Sequence, residues 1–270
     1  MYDSDRSAYD RAAPESDADP RCIPIRLDGP IPEGDAVPYP DYTDAEHATW
    51  SALYERQRSL LRGRACREFL EGLDVMNFPA DRIPSLAAAS RKLERTTGWR
   101  VARAPGLLHE EDFFSRLAAR VFPSTDYIRP PHEMDYTPAP DLFHDLFAHT
   151  PMITNRAFAD FYQRMGQAAV AARRADRRKV ERFYWFTVEF GLIRTVDGLR
   201  VYGNGILSSA SEIVHALSDE VEKIDFNPEA IATCDYDVNH LQPRLFVIND
   251  FDQLVEGFES WARREGLLAA

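Results

Sequence analysis

Cysteine is scarce in this chain: three occur in 270 residues, Cys22, Cys66 and Cys234, and they stand far apart. Such spacing makes neither a disulfide framework nor a zinc cluster, and free thiols in a reducing cytoplasm are the simplest account. Basic residues are also in deficit, 32 Lys and Arg against 44 Asp and Glu, for a net charge of -12. A chain this acidic lacks the cationic surface that nucleic acid or an anionic membrane requires, so neither is expected as a partner. No apolar run approaches the roughly 20 residues of a membrane-spanning helix. The opening MYDSDRSAYDRAAPES has no apolar core for a signal peptide.

What the chain does have is apolar and aromatic mass. With 44% hydrophobic and 11% aromatic residues, it suffices for one well-buried domain and a tail, not for two full domains. Residues 1–43 are rich in Asp, Pro, Ser and Ala, with few large apolar side chains outside CIPIRL and VPYPDY, which predicts a largely irregular extension. Residues 44–270 form a single domain that reads as mainly α, an α+β fold with a few short strands.

Helical spacing starts at Ala45, with Trp50, Leu53, Tyr54, Leu60 and Leu61, and continues through Cys66, Phe69 and Leu70 to about Gly72. Ser85 caps a helix that ends at Gly98. WRVARA alternates as an edge strand, and the loop Gly106-Leu107-Leu108 leads into a helix carrying Phe113 and Phe114. Thr154 or Asn155 caps a helix that runs on to the basic cluster RRADRRK, a solvated connector. LIRT and LRVYG flank Val196-Asp197-Gly198, the signal of a small two-stranded hairpin. ILSSASEIVHALS and NPEAIATC read as helices, LFVIND as a strand, and FDQLVEGFESWARREGL as the closing helix.

The chemistry concentrates in two stretches. RPPHEMDYTPAPDLFHDLFAHTP, Arg129 to Pro151, offers His144 and His149 in an apolar frame; FYWFTVEFG, Phe183 to Gly191, offers one acid, Glu189. A carboxylate among so many aromatics is not buried without a metal or a cation, and an arginine would serve as well as an ion. Two histidines and one carboxylate are the ligand set of non-heme iron(II) centres, which hold the metal by one face and leave other positions open. Pro138 and Pro140 introduce a short helix with Asp141 in its first turn. In a straight α-helix a spacing of five sets the two rings about 140° apart. Pro151 predicts that the helix ends near His149, which lets that ring swing inward.

YTPAPDLFHDLFAHTP, YWFTVEFGL and VYGNGILSSASE, in that order, closely resemble the tetrahydropterin-dependent aromatic amino acid hydroxylases, the bacterial phenylalanine hydroxylases in particular, over about Ser59 to Phe251. The resemblance implies an aromatic amino acid monooxygenase with that family's catalytic fold. Fe(II) would be held by His144, His149 and Glu189, with O2 and a tetrahydropterin as co-substrates. It assigns Gly106, Leu107 and Leu108 to the loop that contacts the pterin, Phe113 to stacking on it, and Tyr184 and Asp145 to the pterin side, the latter through water. Arg129 matches the arginine that grips the substrate carboxylate, a task that a planar guanidinium performs better than lysine. Thr137 and Ser208 match positions that hydrogen-bond the amino acid or steady the site. Pro140, Trp185, Phe190 and the His144 ring would line the aromatic pocket. Asp141 and Glu212 match acids near the substrate's amino group or behind the ligands. Animal members carry a regulatory module and a tetramerising helix for which this chain has no room, so a cytoplasmic monomer acting on a small aromatic amino acid is expected.

Tryptophan hydroxylases usually have phenylalanine where Trp185 stands, and tyrosine hydroxylases an aspartate where Val238 aligns, which leaves phenylalanine, hydroxylated at the para position. Three departures bear on this reading. Ala148 replaces a glycine usual between the ligands, unfavourable by roughly 1 kcal/mol if φ is positive there. Asn204 stands where alanine is common, beside the substrate side. Glu110 occupies a pterin-loop position that is serine in the animal enzymes. The alternative is a relative with changed regiochemistry or substrate, giving meta-tyrosine or acting on tryptophan. Remoter ones are a zinc hydrolase on the same histidines, against which no HExxH places a base between them, and a non-catalytic binding protein.

Overall fold

The computed structural model describes residues 19–238 and 240–269. Thr43 opens α1 (Asp44–Leu61) with a reciprocal cap: its hydroxyl accepts from the Glu46 N–H, and the Glu46 carboxylate accepts from the Thr43 N–H. The helix buries Trp50, Leu53, Tyr54 and Leu61. It does not run on to Gly72 as the apolar spacing suggested. The chain breaks between residues 62 and 66, with Gly63 at φ +69°, and restarts after Cys66 as α2 (Arg67–Met76). The Cys66 N–H donates to the Val201 carbonyl at 2.8 Å, so a distant strand interrupts the helix. Ser85 caps α3 (Leu86–Thr97), and Gly98 stops it in the left-handed conformation.

The edge strand foreseen in WRVARA is β1 (Arg100–Arg103). After α4 (Glu110–Ala118) it is joined in parallel by β2 (Val121–Ser124), which shows no alternation because all four residues are buried. The metal-ligand region then leads into α5 (Thr150–Ile153) and α6 (Arg156–Ala171), capped by Asn155. This helix stops short of the basic cluster, which begins a separate one, α7 (Arg174–Phe183).

The expected hairpin, β3 (Leu192–Thr195) and β4 (Gly198–Val201), is half of a larger sheet. The single helix expected from ILSSASEIVHALS is two, α8 (Asn204–Ser208) and α9 (Ala210–Leu217). Then follow β5 (Glu222–Asp225), α10 (Pro228–Thr233), β6 (Arg244–Ile248) and α11 (Phe251–Arg264). The sheet order is β4-β3-β6-β5, with β6 parallel to both β3 and β5. The result is a mostly helical domain with few, short strands.

One continuous core joins these elements. Its centre is aromatic: Trp50 meets Phe143 edge-on at 5.4 Å, and Phe143 stacks on Phe147 at 4.8 Å. Each fully buried ring contributes on the order of 1.5–3 kcal/mol. That packing fixes the helix carrying the two histidines against α1. Residues 19–43 hold two 3-10 turns, Pro20–Cys22 and Gly34–Ala36, and Ile25 pairs through its backbone with Leu107 and His109. The rest of the expected irregular extension, residues 1–18, lies outside the described residues. Among the described residues no helix is long and apolar enough to cross a membrane.

Candidate active site

The expectation that Pro151 ends the helix near His149 is overturned. His144–His149 form a π-helical turn that runs directly into α5, with Pro151 inside it. Backbone hydrogen bonds in such a turn span five residues instead of four. Residues five apart, His144 and His149, therefore come onto one face without any fraying. The proline is tolerated because the carbonyl five residues before it, that of Leu146, accepts from the Thr150 hydroxyl at 2.7 Å.

A second π-turn, Tyr184–Glu189, follows α7 and carries the acid. Gly203, just before α8, packs on its end: a Cβ there would come within 2.4 Å of the Glu189 carbonyl oxygen. Ala148 is not among the residues with positive φ, so its methyl carries no backbone strain.

The two turns bring three donor groups together. His144 Nε2 and His149 Nε2 are 2.9 Å apart, His149 Nε2 is 3.2 Å from Glu189 Oε1, and His144 Nε2 is 3.7 Å from Glu189 Oε2. Donors on neighbouring vertices of one ion, with bonds of about 2.1 Å, stand about 3.0 Å apart. The observed spacings fit that requirement, and the donor set suits ferrous iron. Among the described residues no Arg or Lys forms an ion pair with Glu189, so the salt-bridge reading of this acid fails. Burial alone would raise the Glu189 carboxyl, but the neighbouring imidazoles and the Tyr184 hydroxyl hold it down at about 2. Burial takes His144 down to about 4. An ionised acid and a neutral ring are the protonation states a divalent cation needs.

His144 Nδ1 lies 2.8 Å from Ser208 Oγ. The Ser208 proton goes to the Asn204 carbonyl at 3.0 Å, so its oxygen accepts from His144 Nδ1–H and steers Nε2 toward the other ligands. Phe122 stacks on His149 at 4.8 Å and 28°.

The triad opens onto a cavity of about 860 Å³. Its wall includes Leu107, Leu108, Phe113, Asp145 and Tyr184, and also Arg129, Thr137, Pro140, Trp185, Phe190, Ser208 and Glu212. Phe113 meets Tyr184 edge-on at 5.4 Å. Asp145 Oδ2 accepts from the Thr125 N–H at 2.8 Å and its hydroxyl at 3.0 Å, while burial raises the acid to about 7. Trp185 stacks on Tyr236 at 4.5 Å and donates to Gln242 Oε1 at 3.2 Å.

Two sequence candidates stand outside this wall. Gly106 does not line the cavity, and Asp141 lies behind it, gripping Arg129 Nε at 2.8 Å and Nη2 at 2.7 Å. Asn204 is not beside the substrate side as expected; it is fully buried behind the His149 ring. Phe122, Tyr162 and Gln242 went unrecognised because each reads as ordinary core or loop sequence. Asp19 and Cys22 also reach the cavity, with Cys22 Sγ donating to the Pro138 carbonyl at 3.0 Å.

Residues 30–266 match the family described as biopterin-dependent aromatic amino acid hydroxylase. The chain is 43% identical to a phenylalanine-4-hydroxylase of Pseudomonas aeruginosa over 215 residues, 80% of this chain and 82% of that protein. It is 39% identical to a tyrosine 3-monooxygenase of Bos taurus, covering 86% of this chain and 48% of that one. Among solved structures, Chromobacterium violaceum phenylalanine hydroxylase with bound iron(III) and the oxidised cofactor 7,8-dihydrobiopterin is similar at TM-score 0.81 and 42% identity over 85% of each chain.

Proposed function

Because the chain belongs to the biopterin-dependent aromatic amino acid hydroxylase family, we propose that it converts L-phenylalanine to L-tyrosine with O2 and a tetrahydropterin at an iron(II) centre. The observation that carries this reading is the convergence of two imidazole nitrogens and one carboxylate on the wall of a cavity lined in part by aromatic rings. His144, His149 and Glu189 would hold the iron. When bound, iron would activate O2 and the reduced pterin would supply two of the electrons for its cleavage, the substrate the other two, with one oxygen atom going to the ring and the other to the pterin.

The chain's own residues do the positioning. Phe113 offers a face for a flat pterin, worth about 0.5–1.5 kcal/mol, and the backbone of Leu107 and Leu108 offers it hydrogen bonds, with Tyr184 and Asp145 alongside. Arg129, whose Nη1 has no described protein partner, grips the substrate carboxylate. Asp141 holds that guanidinium in place, and Thr137 steadies the loop by donating to the Ala139 carbonyl at 3.1 Å. Pro140, Trp185 and Phe190 enclose the aromatic ring and exclude water from it.

Glu212 is the acid suited to the substrate's ammonium group. Burial pushes its carboxyl from an ordinary value of 4.5 up to about 7. The folded state therefore keeps a proton that the unfolded chain has lost between those values. The stabilisation this provides is complete below the unfolded value and is lost as pH rises through about 7. Pairing with an ammonium group needs the ionised form, so phenylalanine affinity rises with pH through about 7. In Glu212→Gln the affinity trend flattens, as KM against pH will show, while urea unfolding against pH keeps only the part of the stability trend that Asp145, also raised to about 7, contributes.

The deciding assay supplies the protein with ferrous iron, tetrahydrobiopterin and phenylalanine in air and separates the tyrosine isomers. Para-tyrosine is the expected product. Dominant meta-tyrosine would move the chain to the altered-regiochemistry alternative, and absence of any hydroxylated aromatic amino acid would overturn the proposal.

A further inference from the structure

Asn204 and Tyr162 are fully buried, and both reach the back of the His149 ring. The Asn204 side-chain amide lies 3.0 Å from His149 Nδ1, and the Tyr162 hydroxyl 3.3 Å from it. Phe122 stacks on the ring at 4.8 Å, and the Tyr162 ring lies near-parallel to it at 6.2 Å and 18°. Packed in this way, the imidazole has no room to turn over and exchange its nitrogens. With Nε2 directed at His144 and Glu189, Nδ1 is left to Asn204 and Tyr162.

We propose that Asn204 is a positioning residue: its side-chain oxygen accepts a hydrogen from His149 Nδ1, with Tyr162 as the second acceptor, so that Nε2 presents its lone pair to the metal. This rests on the reading of His149 as a ligand. The two ends of an amide have the same shape and are told apart only by their hydrogen bonds. With the amide nitrogen toward the ring, Nδ1 must be bare, the proton moves to Nε2, and the ring cannot ligate. The amide oxygen is then also buried without a partner. The needs of the ring therefore decide the orientation.

Tyr162 points the same way. Its hydroxyl lies 3.1 Å from the Tyr184 hydroxyl and 3.3 Å from His149 Nδ1, so with its proton directed to Tyr184 its oxygen accepts from His149 Nδ1–H.

Two measurements test this. In zinc(II)-loaded protein, nitrogen-15 NMR of the histidine rings is expected to find the His149 proton on Nδ1 and its signal shifted in Asn204→Leu; a bare Nδ1, or an unshifted signal, overturns the assignment. Cobalt(II) titration of the metal-free protein then compares Asn204→Leu, which keeps the shape without an acceptor, with Asn204→Asp, which keeps only acceptors. The leucine variant is expected to lose about 10–100-fold in affinity and the aspartate variant less than about threefold. Equal loss in both, or loss in neither, overturns the proposal. Failure of wild-type protein to bind cobalt at all overturns the ligand reading itself, before any variant is made.

Discussion

Glu189→Gln is expected to lower hydroxylation of phenylalanine by about 1,000-fold or more, a loss of about 4 kcal/mol. The substitution keeps the size of the side chain and removes its charge. Two neutral imidazoles would then face a doubly charged ion with no anion among them, and oxygen-preferring ferrous iron gains little from an amide. The metal-free protein should remain folded. A glutamine amide at this position can donate across the 3.2 Å that now separates Glu189 Oε1 from His149 Nε2. Anaerobic calorimetric titration with ferrous iron checks the binding loss, and thermal unfolding without metal checks the fold. If the variant binds iron as tightly as wild type, Glu189 is not a ligand and the oxygenase account loses its foundation.

The identities of His144, His149 and Glu189 could be read from the sequence, because an isolated carboxylate between aromatics and two nearby imidazoles admit few explanations. The way they meet could not. A π-turn differs from an α-turn by one residue in the hydrogen-bond span, and nothing in the composition of HDLFAH or YWFTVE distinguishes them. Thr150 before Pro151 was the one available hint, since its hydroxyl occupies the carbonyl that the proline cannot serve.

The fold divides along the same line. Helix ends with a local cause, such as the caps at Ser85 and Asn155, are visible in the chain. Features with a distant cause are not. Cys66 restarts a helix because its N–H goes to Val201, and VFPS is a strand because Arg100–Arg103 lies beside it. Asn204 belongs to the second kind: its role depends on a ring 55 positions away along the chain.

Asp141→Ala is expected to cost about 3–5 kcal/mol, because it strands the buried Arg129 guanidinium without its counter-charge. Asp141 has no exposed surface and Arg129 very little, and their contact is bidentate, at 2.7 and 2.8 Å. Asp141 Oδ1 also accepts from the His144 N–H at 3.1 Å, so the same side chain ties the arginine to the start of the first π-turn. Burial would raise this carboxyl, but the guanidinium and the two backbone N–H groups hold it below its ordinary value. Urea unfolding of the metal-free protein measures the stability loss. Arg129→Lys separates the arginine's two roles, since an ammonium keeps the charge beside Asp141 but cannot reach the carboxylate and the substrate together. Its stability loss should be smaller, while KM for phenylalanine rises about 10–100-fold with kcat little changed, the pattern of lost uniform binding. An unchanged KM in that variant would mean that Arg129 serves the fold alone, and the substrate carboxylate would then need another partner in the cavity wall.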